Sequence, residues 1–333
     1  MMGQHKPLLP DVDWQSVITA IHAAKDIVLI THCNPDGDGI GSQMGLYDAL
    51  TEMGKSVSMF NFDGVPRIYT FLEHAEEVKK GVWPLEDNSA DLIIALDCGS
   101  KARLGMSDAF FDGPQLVNVD HHASNRLFGD INLVDARYCA TGAMIFDLLI
   151  AMQAPISKQT ATALYAAVLT DTASFRLSNA TAGVYRMAAE LIDAGAEPWP
   201  VSVNIYESRP LAALKMMTAC LDTLEICDSG RSAWVHITHD MYKATGADVE
   251  DTEGLIDYAR SIDGVEVAVF IRCDEHGENR WKVSFRGKTY VDVGALASTL
   301  GGGGHAYAAG CLMHGSFDEV RTRIEQTVSQ ILS

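Results

Sequence analysis

Short apolar runs alternate with amphipathic stretches as far as about residue 195. The runs at 27–31, 57–60, 91–96 and 115–119 are short and rich in apolar residues, as buried parallel strands are. Apolar positions recur at helical spacing over 39–53, 141–152, 158–169 and 181–194. This alternation predicts an α/β fold built on a doubly wound parallel sheet.

A second α/β pattern follows a proline-rich break. Residues 197–210 carry prolines at 198, 200 and 210 and predict a connection between domains. Beyond it, the pattern predicts helices at 211–224, 252–261, 292–300 and 317–332, and strands at 233–238, 265–271 and 281–285. A chain of 333 residues exceeds what one core usually supports. We therefore expect a first domain over 1–195, a linker over 196–215 and a smaller α/β domain over 216–333.

Composition and charge exclude several classes of function. The formal net charge of -19 argues against binding of long duplex nucleic acid, because such proteins carry a basic face. The seven cysteines contain no C-x-x-C pair, which indicates reduced thiols in a cytoplasmic protein. No run approaches the roughly 18 apolar residues of a membrane span. We expect a globular enzyme with no membrane partner and a small anionic substrate.

Metal-ligand side chains follow each apolar run. They are His32, Asp36, Asp38, Asp97, Asp120, His121, His122 and Asp171, the last after a run that could also be a buried helix end. In open α/β sheets, ligands bind beyond the carboxyl ends of the strands. Carboxylates with imidazole suit Mn²⁺ or Mg²⁺. Two ions about 3.5–4 Å apart need a shared carboxylate, and Asp97, the lone carboxylate at a strand end, is the predicted bridge.

Taken singly, these motifs have other interpretations. The glycines at 37, 39 and 41 predict a tight loop around Asp36 and Asp38, but they lack the spacing of a dinucleotide loop. A calcium loop starting at Asp36 would need Glu where Tyr47 stands. The Gly-Lys-Ser/Thr segments at 54–56 and 287–289 lack the first glycine of a P-loop. The conjunction of all the motifs in this order favours the metal site.

The order of the motifs resembles the DHH phosphoesterase superfamily, which includes the RecJ exonucleases, family II inorganic pyrophosphatases and cyclic dinucleotide phosphodiesterases. The resemblance implies that one Mn²⁺ is bound by His32, Asp36 and Asp97. It implies that a second Mn²⁺ is bound by Asp38, Asp97, His121 and Asp171, with Mg²⁺ as the alternative metal. His122 would act with Asp97 in catalysis and face the substrate. Asp120 would orient a ring, and Ser42 and Asn34 would lie near the site.

A second signature lies in the last third of the chain. The run G-G-G-G-H at 301–305, followed by a helix-like segment at 306–309, would present backbone N–H groups to an anion; a flexible turn is the alternative. Arg286 offers a guanidinium for bidentate phosphate contact, and Arg272 is a second candidate. This half resembles the DHHA1 domain, whose G-G-G-H loop and S-x-R strand bind the nucleotide end of the substrate. The candidate substrate-binding residues are Arg272, Ser284, Arg286, Gly302, Gly303, Gly304 and His305.

The two-domain form is most similar to the NrnA-type oligoribonucleases. That similarity implies an Mn²⁺-dependent phosphohydrolase that degrades short oligoribonucleotides and dephosphorylates adenosine 3′,5′-bisphosphate. Its active site would lie in the cleft between a DHH catalytic domain over 1–195 and a DHHA1 domain over 216–333. The alternatives are a stand-alone phosphodiesterase for dinucleotides such as pApA, an exopolyphosphatase or pyrophosphatase, and an inert nucleotide-binding regulator. The expected partners are short oligonucleotides or nucleotide bisphosphates, and a homodimer stays open.

Overall fold

The computed structural model describes residues 6–81, 90–274, 277 and 279–332. The chain forms two compact units that divide between Ser208 and Arg209. Among the described residues, no helix combines the length and the apolar character needed to cross a bilayer.

The first unit is built on a six-stranded sheet in which all strands run parallel. The strands are β1 (Asp26–Thr31), β2 (Ser56–Asn61), β3 (Lys79–Lys80), β4 (Leu92–Leu96), β5 (Gln115–Asp120) and β6 (Ile131–Val134). The helices are α1 (Gln15–Ala23), α2 (Gly37–Glu52), α3 (Thr141–Met152), α4 (Lys158–Asp171), α5 (Ala182–Asp193) and α6 (Pro198–Tyr206). The strand order β3-β2-β1-β4-β5-β6 places β1, β4 and β5 side by side, so their carboxyl ends meet at one edge.

The two faces of this sheet are covered differently. Leu29 and Ile94 point to one face and share a core with apolar residues of α2, α3 and α4. Their neighbours Val28 and Ile93 point to the other face, because side chains alternate along a strand, and they pack with Leu104 and Phe110. These two residues belong to the 3-10 turns Lys101–Leu104 and Asp108–Phe111. A doubly wound sheet carries helices on both faces, whereas here the 3-10 turns pack against the second face.

Helix α2 begins earlier than predicted and packs closely against α4. A Cβ on Gly37 would lie 2.4 Å from Thr170 Oγ1, and a Cβ on Gly41 would lie 2.4 Å from the Ala163 carbonyl oxygen. Both glycines are inside α2. The expectation that they form a tight loop was therefore wrong: they allow close contact between two helices.

Two prolines of the predicted interdomain connection lie inside a helix. Residues 197–210 were expected to connect the domains, yet Pro198 and Pro200 lie in the first turn of α6. The first turn tolerates proline because its backbone N–H groups have no partner within the helix.

The second unit contains a mixed six-stranded sheet of order β11-β12-β10-β9-β8-β7. Its strands are β7 (Glu225–Cys227), β8 (Ser232–Ile237), β9 (Val267–Cys273), β10 (Arg280–Gly287), β11 (Gly303–His305) and β12 (Ala308–His314). Its helices are α7 (Leu211–Leu221), α8 (His239–Thr245), α9 (Leu255–Ser261), α10 (Val293–Thr299) and α11 (Phe317–Leu332). The helix-like segment expected at 306–309 is wrong, because β11 and β12 form an antiparallel hairpin there.

Candidate metal centre

The carboxyl ends of three adjacent parallel strands bring the predicted ligands together. The pairs Thr31–Leu96 and Leu96–Val119 are in register across β1, β4 and β5. His32 follows β1, Asp97 follows β4, and the D-H-H motif begins at the last residue of β5. The start of α2 supplies Asp36 and Asp38, and Asp171 is the last residue of α4.

Asp97 links two groups of side chains through its two oxygens. Its Oδ2 lies 3.5 Å from His32 Nε2, which is also 3.8 Å from Asp36 Oδ1. Its Oδ1 lies 3.6 Å from His121 Nε2. The same atom of His121 is 3.7 Å from Asp38 Oδ2 and 3.5 Å from Asp171 Oδ2. The structure therefore assembles all six predicted ligands into two groups that share one carboxylate.

The backbone holds Asp97 in an unusual conformation. Its φ of 53° lies in the left-handed region, which a residue other than glycine rarely adopts. The Asp97 N–H donates to the Val119 carbonyl at 3.1 Å, and the Thr141 hydroxyl donates to Asp97 Oδ1 at 3.2 Å. Such a conformation costs free energy and persists where the surroundings enforce it, often at functional sites.

Asp36 and Asp38 are positioned by helix N-termini. Asp36 caps α2 and accepts hydrogen bonds from the backbone N–H groups of Asp38 and Gly39. Asp38 accepts from the N–H groups of Thr141 and Gly142, at 2.6 and 2.8 Å, where α3 begins. Because helix N-termini favour negative charge, these bonds orient both carboxylates and stabilise them.

The residues expected near the site differ in their contacts. The Ser42 hydroxyl donates to Asp38 Oδ1 at 3.2 Å, so it adjoins a predicted ligand. Asn34 is exposed, has a φ of 51°, and donates its backbone N–H to Asp63 Oδ2 at 2.7 Å. Thr141 and Gly142 were not predicted, because both hold Asp38 through backbone N–H groups, which leave no side-chain signal, and only the fold brings the Thr141 hydroxyl to Asp97.

His122 is held differently from His121. Its Nδ1 lies 2.7 Å from Asp120 Oδ1 and 3.5 Å from Asp97 Oδ1. Asp120 is fully buried and also accepts from Asn125 Nδ2 at 2.6 Å. Burial acts to raise the pKa of Asp120, but the hydrogen bonds from His122 and Asn125, together with the charge of His122, outweigh it and lower that pKa. Asp120 thus orients the His122 ring, and Asn125, which sequence analysis missed, supports Asp120.

Crowding of acidic groups sets the charge state of the metal-free cluster. Burial and the negative charges of Asp38 and Asp36 raise the pKa of Asp97 well above its usual range. The same causes raise the pKa of Asp171 to about 8. Burial acts to lower the pKa of His32, but hydrogen bonds to Asp36 and Asp97 outweigh it and raise that pKa to about 10. The cluster therefore holds protons at neutral pH that a cation would displace.

The donor set fits a divalent metal ion. The groups His32–Asp36–Asp97 and Asp38–His121–Asp171 each offer ligand atoms within 4.8 Å of one another. Oxygen and imidazole nitrogen are donors that Mn²⁺ and Mg²⁺ accept. The nearby Cys98 thiol is buried and donates to the Ser100 carbonyl at 3.1 Å, and burial raises its pKa to about 12. The chain thus contains an acidic, histidine-containing cluster suited to hard divalent metals.

In the second unit, strand register aligns the two predicted substrate-binding motifs. Ser284 on β10 pairs with Gly310 on β12, which pairs with Gly303 on β11. Arg286 on β10 is likewise linked through Ala308 to His305, whose side chain is outside what the structure describes. Across the sheet, Ser284 of the S-x-R strand is therefore aligned with Gly303, and Arg286 is aligned with His305.

Two glycines of this run meet a packing requirement. A Cβ on Gly302 would lie 2.2 Å from the Gly310 carbonyl oxygen, and a Cβ on Gly304 would lie 2.5 Å from Ala309 Cα. Gly303 faces open space instead. Close pairing of the hairpin thus explains two of the glycines without a ligand.

Arg272 and Arg286 have different surroundings. Arg272 is 8% exposed, and its Nη1 donates to the Val249 carbonyl and to Thr252 Oγ1. Arg286 is half-buried, and its Nη1 donates to the Phe285 carbonyl at 3.2 Å. Arg286 is thus the more accessible of the two guanidinium groups.

Comparison with known proteins identifies both units. Residues 26–168 match the DHH family, N-terminal domain, and residues 237–332 match the DHHA1 domain. A relative from Thermus thermophilus, named bifunctional oligoribonuclease and PAP phosphatase NrnA, is 33% identical over 92% of this chain and 90% of its own. The protein of the same name from Bacillus subtilis is 26% identical over 91% of this chain and 94% of its own.

Solved structures agree with the fold. An exopolyphosphatase-related protein from Bacteroides fragilis has a TM-score of 0.89 at 24% identity and covers 97% of this chain and 98% of its own. RecJ from Thermus thermophilus, in complex with Mn²⁺, has a TM-score of 0.55 at 12% identity and covers 98% of this chain and 56% of its own. The predicted α/β fold is confirmed, and the chain belongs to the DHH phosphoesterase family, in the form that carries a DHHA1 domain.

Proposed function

We propose that this protein is an Mn²⁺-dependent phosphohydrolase that degrades short oligoribonucleotides to mononucleotides and dephosphorylates adenosine 3′,5′-bisphosphate. The observation that carries the proposal is Asp97, whose two oxygens face two separate groups of His and Asp side chains. The names of the relatives at 33% and 26% identity support the substrate class.

Two Mn²⁺ ions, or Mg²⁺ as the alternative, would be held by the two groups that share Asp97. One group is His32, Asp36 and Asp97, and the other is Asp38, Asp97, His121 and Asp171. When bound, such ions supply positive charge to phosphoryl oxygens and lower the pKa of water.

His122 would act on the leaving oxygen. Its Nδ1 donates a hydrogen bond to Asp120, which fixes the ring orientation. A negative Asp120 also stabilises the ring when it carries a second proton on Nε2, as a buried aspartate does for a catalytic histidine. His122 would then give that proton to the leaving oxygen, a transfer worth roughly 10²–10⁴-fold in rate.

The second unit would bind the nucleotide end of the substrate. Arg286 offers a planar donor group, and Ser284 and Gly303 lie in neighbouring positions of the same sheet. β11 is an edge strand, so one side of its backbone is unpaired within the sheet. These groups would hold one terminal phosphate, while the net charge of -19 would disfavour longer, more negative chains.

A side-by-side assay tests the function. Adenosine 3′,5′-bisphosphate, short RNA, pApA and pyrophosphate are incubated with enzyme and Mn²⁺, before and after chelation. We expect hydrolysis of the bisphosphate and of short RNA, lost on chelation and restored by Mn²⁺. Cleavage of pApA alone would favour the dinucleotide phosphodiesterase, cleavage of pyrophosphate alone the pyrophosphatase, and no cleavage the inert regulator.

A variant tests the second unit separately. Arg286→Ala should raise KM for nucleotide substrates and change turnover of bis(p-nitrophenyl) phosphate much less, because that small diester needs only the metal cluster. Lys282→Ala is the matched control, since it removes another cation from the same strand. Equal losses on both substrates would contradict the role given to Arg286.

A further inference from the structure

An exposed tyrosine that the motifs did not predict is held in a fixed orientation in the first unit. Tyr185, in the first turn of α5, is 52% exposed. Its ring stacks on Phe175, with 5.3 Å between the ring centroids and 29° between the ring planes. Its hydroxyl donates a hydrogen bond to the Phe175 carbonyl at 3.1 Å. Phe175 covers one face of the Tyr185 ring, which leaves the opposite face as the one open to solvent.

The turn that carries Phe175 folds back onto the end of α4, where the candidate ligand Asp171 stands. Ala173, Ser174 and Phe175 have φ angles of 47°, 61° and 59°, all in the left-handed region. Three such residues in succession cost free energy when none of them is glycine, so the surrounding contacts must enforce the turn. One of these contacts is the hydrogen bond that the Phe175 N–H donates to the Thr172 hydroxyl at 3.0 Å. Phe175 therefore lies one tight turn beyond Asp171, close to the candidate metal cluster.

A cation lies next to this pair of rings in the sequence. Arg176 directly follows Phe175, is exposed, and donates from Nε to the Ala173 carbonyl at 2.7 Å. Within the described part of the chain, Arg176 has no acidic partner. Asn179 Nδ2 donates to the Asp171 carbonyl at 3.3 Å, so the chain beyond Arg176 is again tied to the end of α4. An exposed aromatic face beside a guanidinium group without an ion pair matches the base and the phosphate of a single-stranded nucleotide.

We propose that the open face of Tyr185, supported by Phe175, stacks on a nucleobase of the oligonucleotide substrate. This inference rests on the proposed function and adds a contact for a second nucleotide, because the second unit would bind the terminal one. Bases of single-stranded RNA stack on aromatic side chains with little dependence on sequence. The Tyr185 ring is fixed through its face and its hydroxyl, so stacking orders it little further. This contact would favour a short oligonucleotide over a mononucleotide and offset the repulsion of one additional phosphate.

The test compares Tyr185→Ala, Tyr185→Leu and Tyr185→Phe with Ile192→Ala, which removes another exposed apolar side chain from α5. Calorimetry on Mn²⁺-loaded protein gives the Kd for AMP and for a phosphorothioate-linked triadenylate that resists hydrolysis, and elemental analysis counts bound Mn²⁺. Tyr185→Ala and Tyr185→Leu should weaken triadenylate binding by roughly 5–100-fold, as loss of one stacked base does, and change AMP binding much less. Tyr185→Phe should stay close to wild type because it keeps the ring. Ile192→Ala should match wild type, and all four variants should keep the wild-type Mn²⁺ count.

Trinucleotides that lack one base separate stacking from a purely structural role of Tyr185. Removing the stacked base should weaken binding to wild type as much as Tyr185→Leu does, and the variant should not respond to that removal. Equal responses of wild type and Tyr185→Leu at all three positions would overturn the proposal. It would also be overturned by loss of Mn²⁺ in Tyr185→Leu, or by wild-type protein that binds triadenylate no better than AMP. Failure of the proposed function is read separately, from the absence of wild-type hydrolysis of unmodified short RNA, and leaves the binding comparison decisive for Tyr185.

Discussion

Replacing Asp171 by Asn should stabilise the metal-free protein and weaken its binding of metal. Burial and the charges of Asp38 and Asp36 raise the pKa of Asp171 from 3.8 to about 8. The folded protein therefore keeps a proton that the unfolded chain has lost. Where the folded state binds more protons, stability falls as pH rises, here between about pH 4 and about pH 8. Asparagine cannot ionise, so the variant does not lose stability in this way as pH rises.

The size of the effect follows from the same pKa. A difference of about 4 pKa units, at about 1.36 kcal/mol per unit, sets an upper limit of about 6 kcal/mol at pH 8. The raised pKa of Asp171 depends on neighbouring carboxylates that also hold protons, so removing one group lets the others ionise more readily. We therefore expect a gain in unfolding free energy of about 1–3 kcal/mol at pH 8, and a much smaller gain at pH 5.

Urea unfolding of EDTA-treated protein at pH 5 and pH 8 measures this gain. Asp193→Asn is the control, because it removes an exposed carboxylate from α5 of the same unit. Added Mn²⁺ should reverse the order of stability, since the proposed ligand Asp171 is retained only by the wild type and bound metal stabilises the folded state. A gain that is the same at both pH values, or a variant less stable than wild type at pH 8 without metal, would refute the reasoning.

Four further substitutions separate the roles of individual residues. Asp97→Asn should lower the occupancy of both ions, as measured by elemental analysis; two bound ions with near-normal turnover would show that Asp97 is not the bridge. His121→Ala should lose one ion, whereas His122→Ala should keep both and lower kcat by roughly 10²–10⁴-fold; equal metal loss in the two variants would contradict this division. Burial acts to lower the pKa of His74, but hydrogen bonds to neighbouring carboxylates raise it above 6.5. Its stabilisation is therefore complete below about pH 6.5 and lost as pH rises through the folded pKa, so His74→Gln should flatten the pH profile of urea unfolding; parallel profiles would count against it.

The candidate metal cluster was predictable because its proposed ligands follow elements with strong apolar patterns. The buried runs of β1, β4 and β5 identified strand ends, and parallel strands place those ends at one edge. His32, Asp97 and His121 therefore came together as expected. The same logic identified Asp171 at a helix end.

The contacts that tune the cluster were not predictable, because their signal is tertiary. Thr141 and Gly142 hold Asp38 through backbone N–H groups, which every residue except proline possesses, and the Thr141 hydroxyl reaches Asp97 only in the folded chain. Asn125 lies in a loop and Arg103 in the 3-10 turn Lys101–Leu104, and only the folded chain places them against Asp120 and His32. Residue type alone does not distinguish them from other surface residues.

The glycine run of the second unit was misassigned for a different physical reason. Glycine permits a tight turn, a helix start and a close strand pair alike, so G-G-G-G-H does not specify one of them. Pairing with β12 determines the structure of this run. Gly303 pairs with Gly310, and Gly310 pairs on its other side with Ser284. The position of the S-x-R strand relative to the glycines thus depends on long-range pairing, which the local pattern does not report.

Helix packing, in addition to the ligands, sets the geometry of the metal cluster. Asp36 and Asp38 stand at the start of α2, and Asp171 stands at the end of α4. Gly37 and Gly41, one helical turn apart, allow α2 to approach α4 so closely that a methyl group at either position would overlap it. A wider separation of the helices would move the carboxylates of α2 away from Asp171 and lengthen the 3.5–3.7 Å contacts that His121 makes with Asp171 and Asp38. These glycines therefore act on the chemistry through packing, because the distance between two helices determines whether their carboxylates can share one histidine and one metal ion.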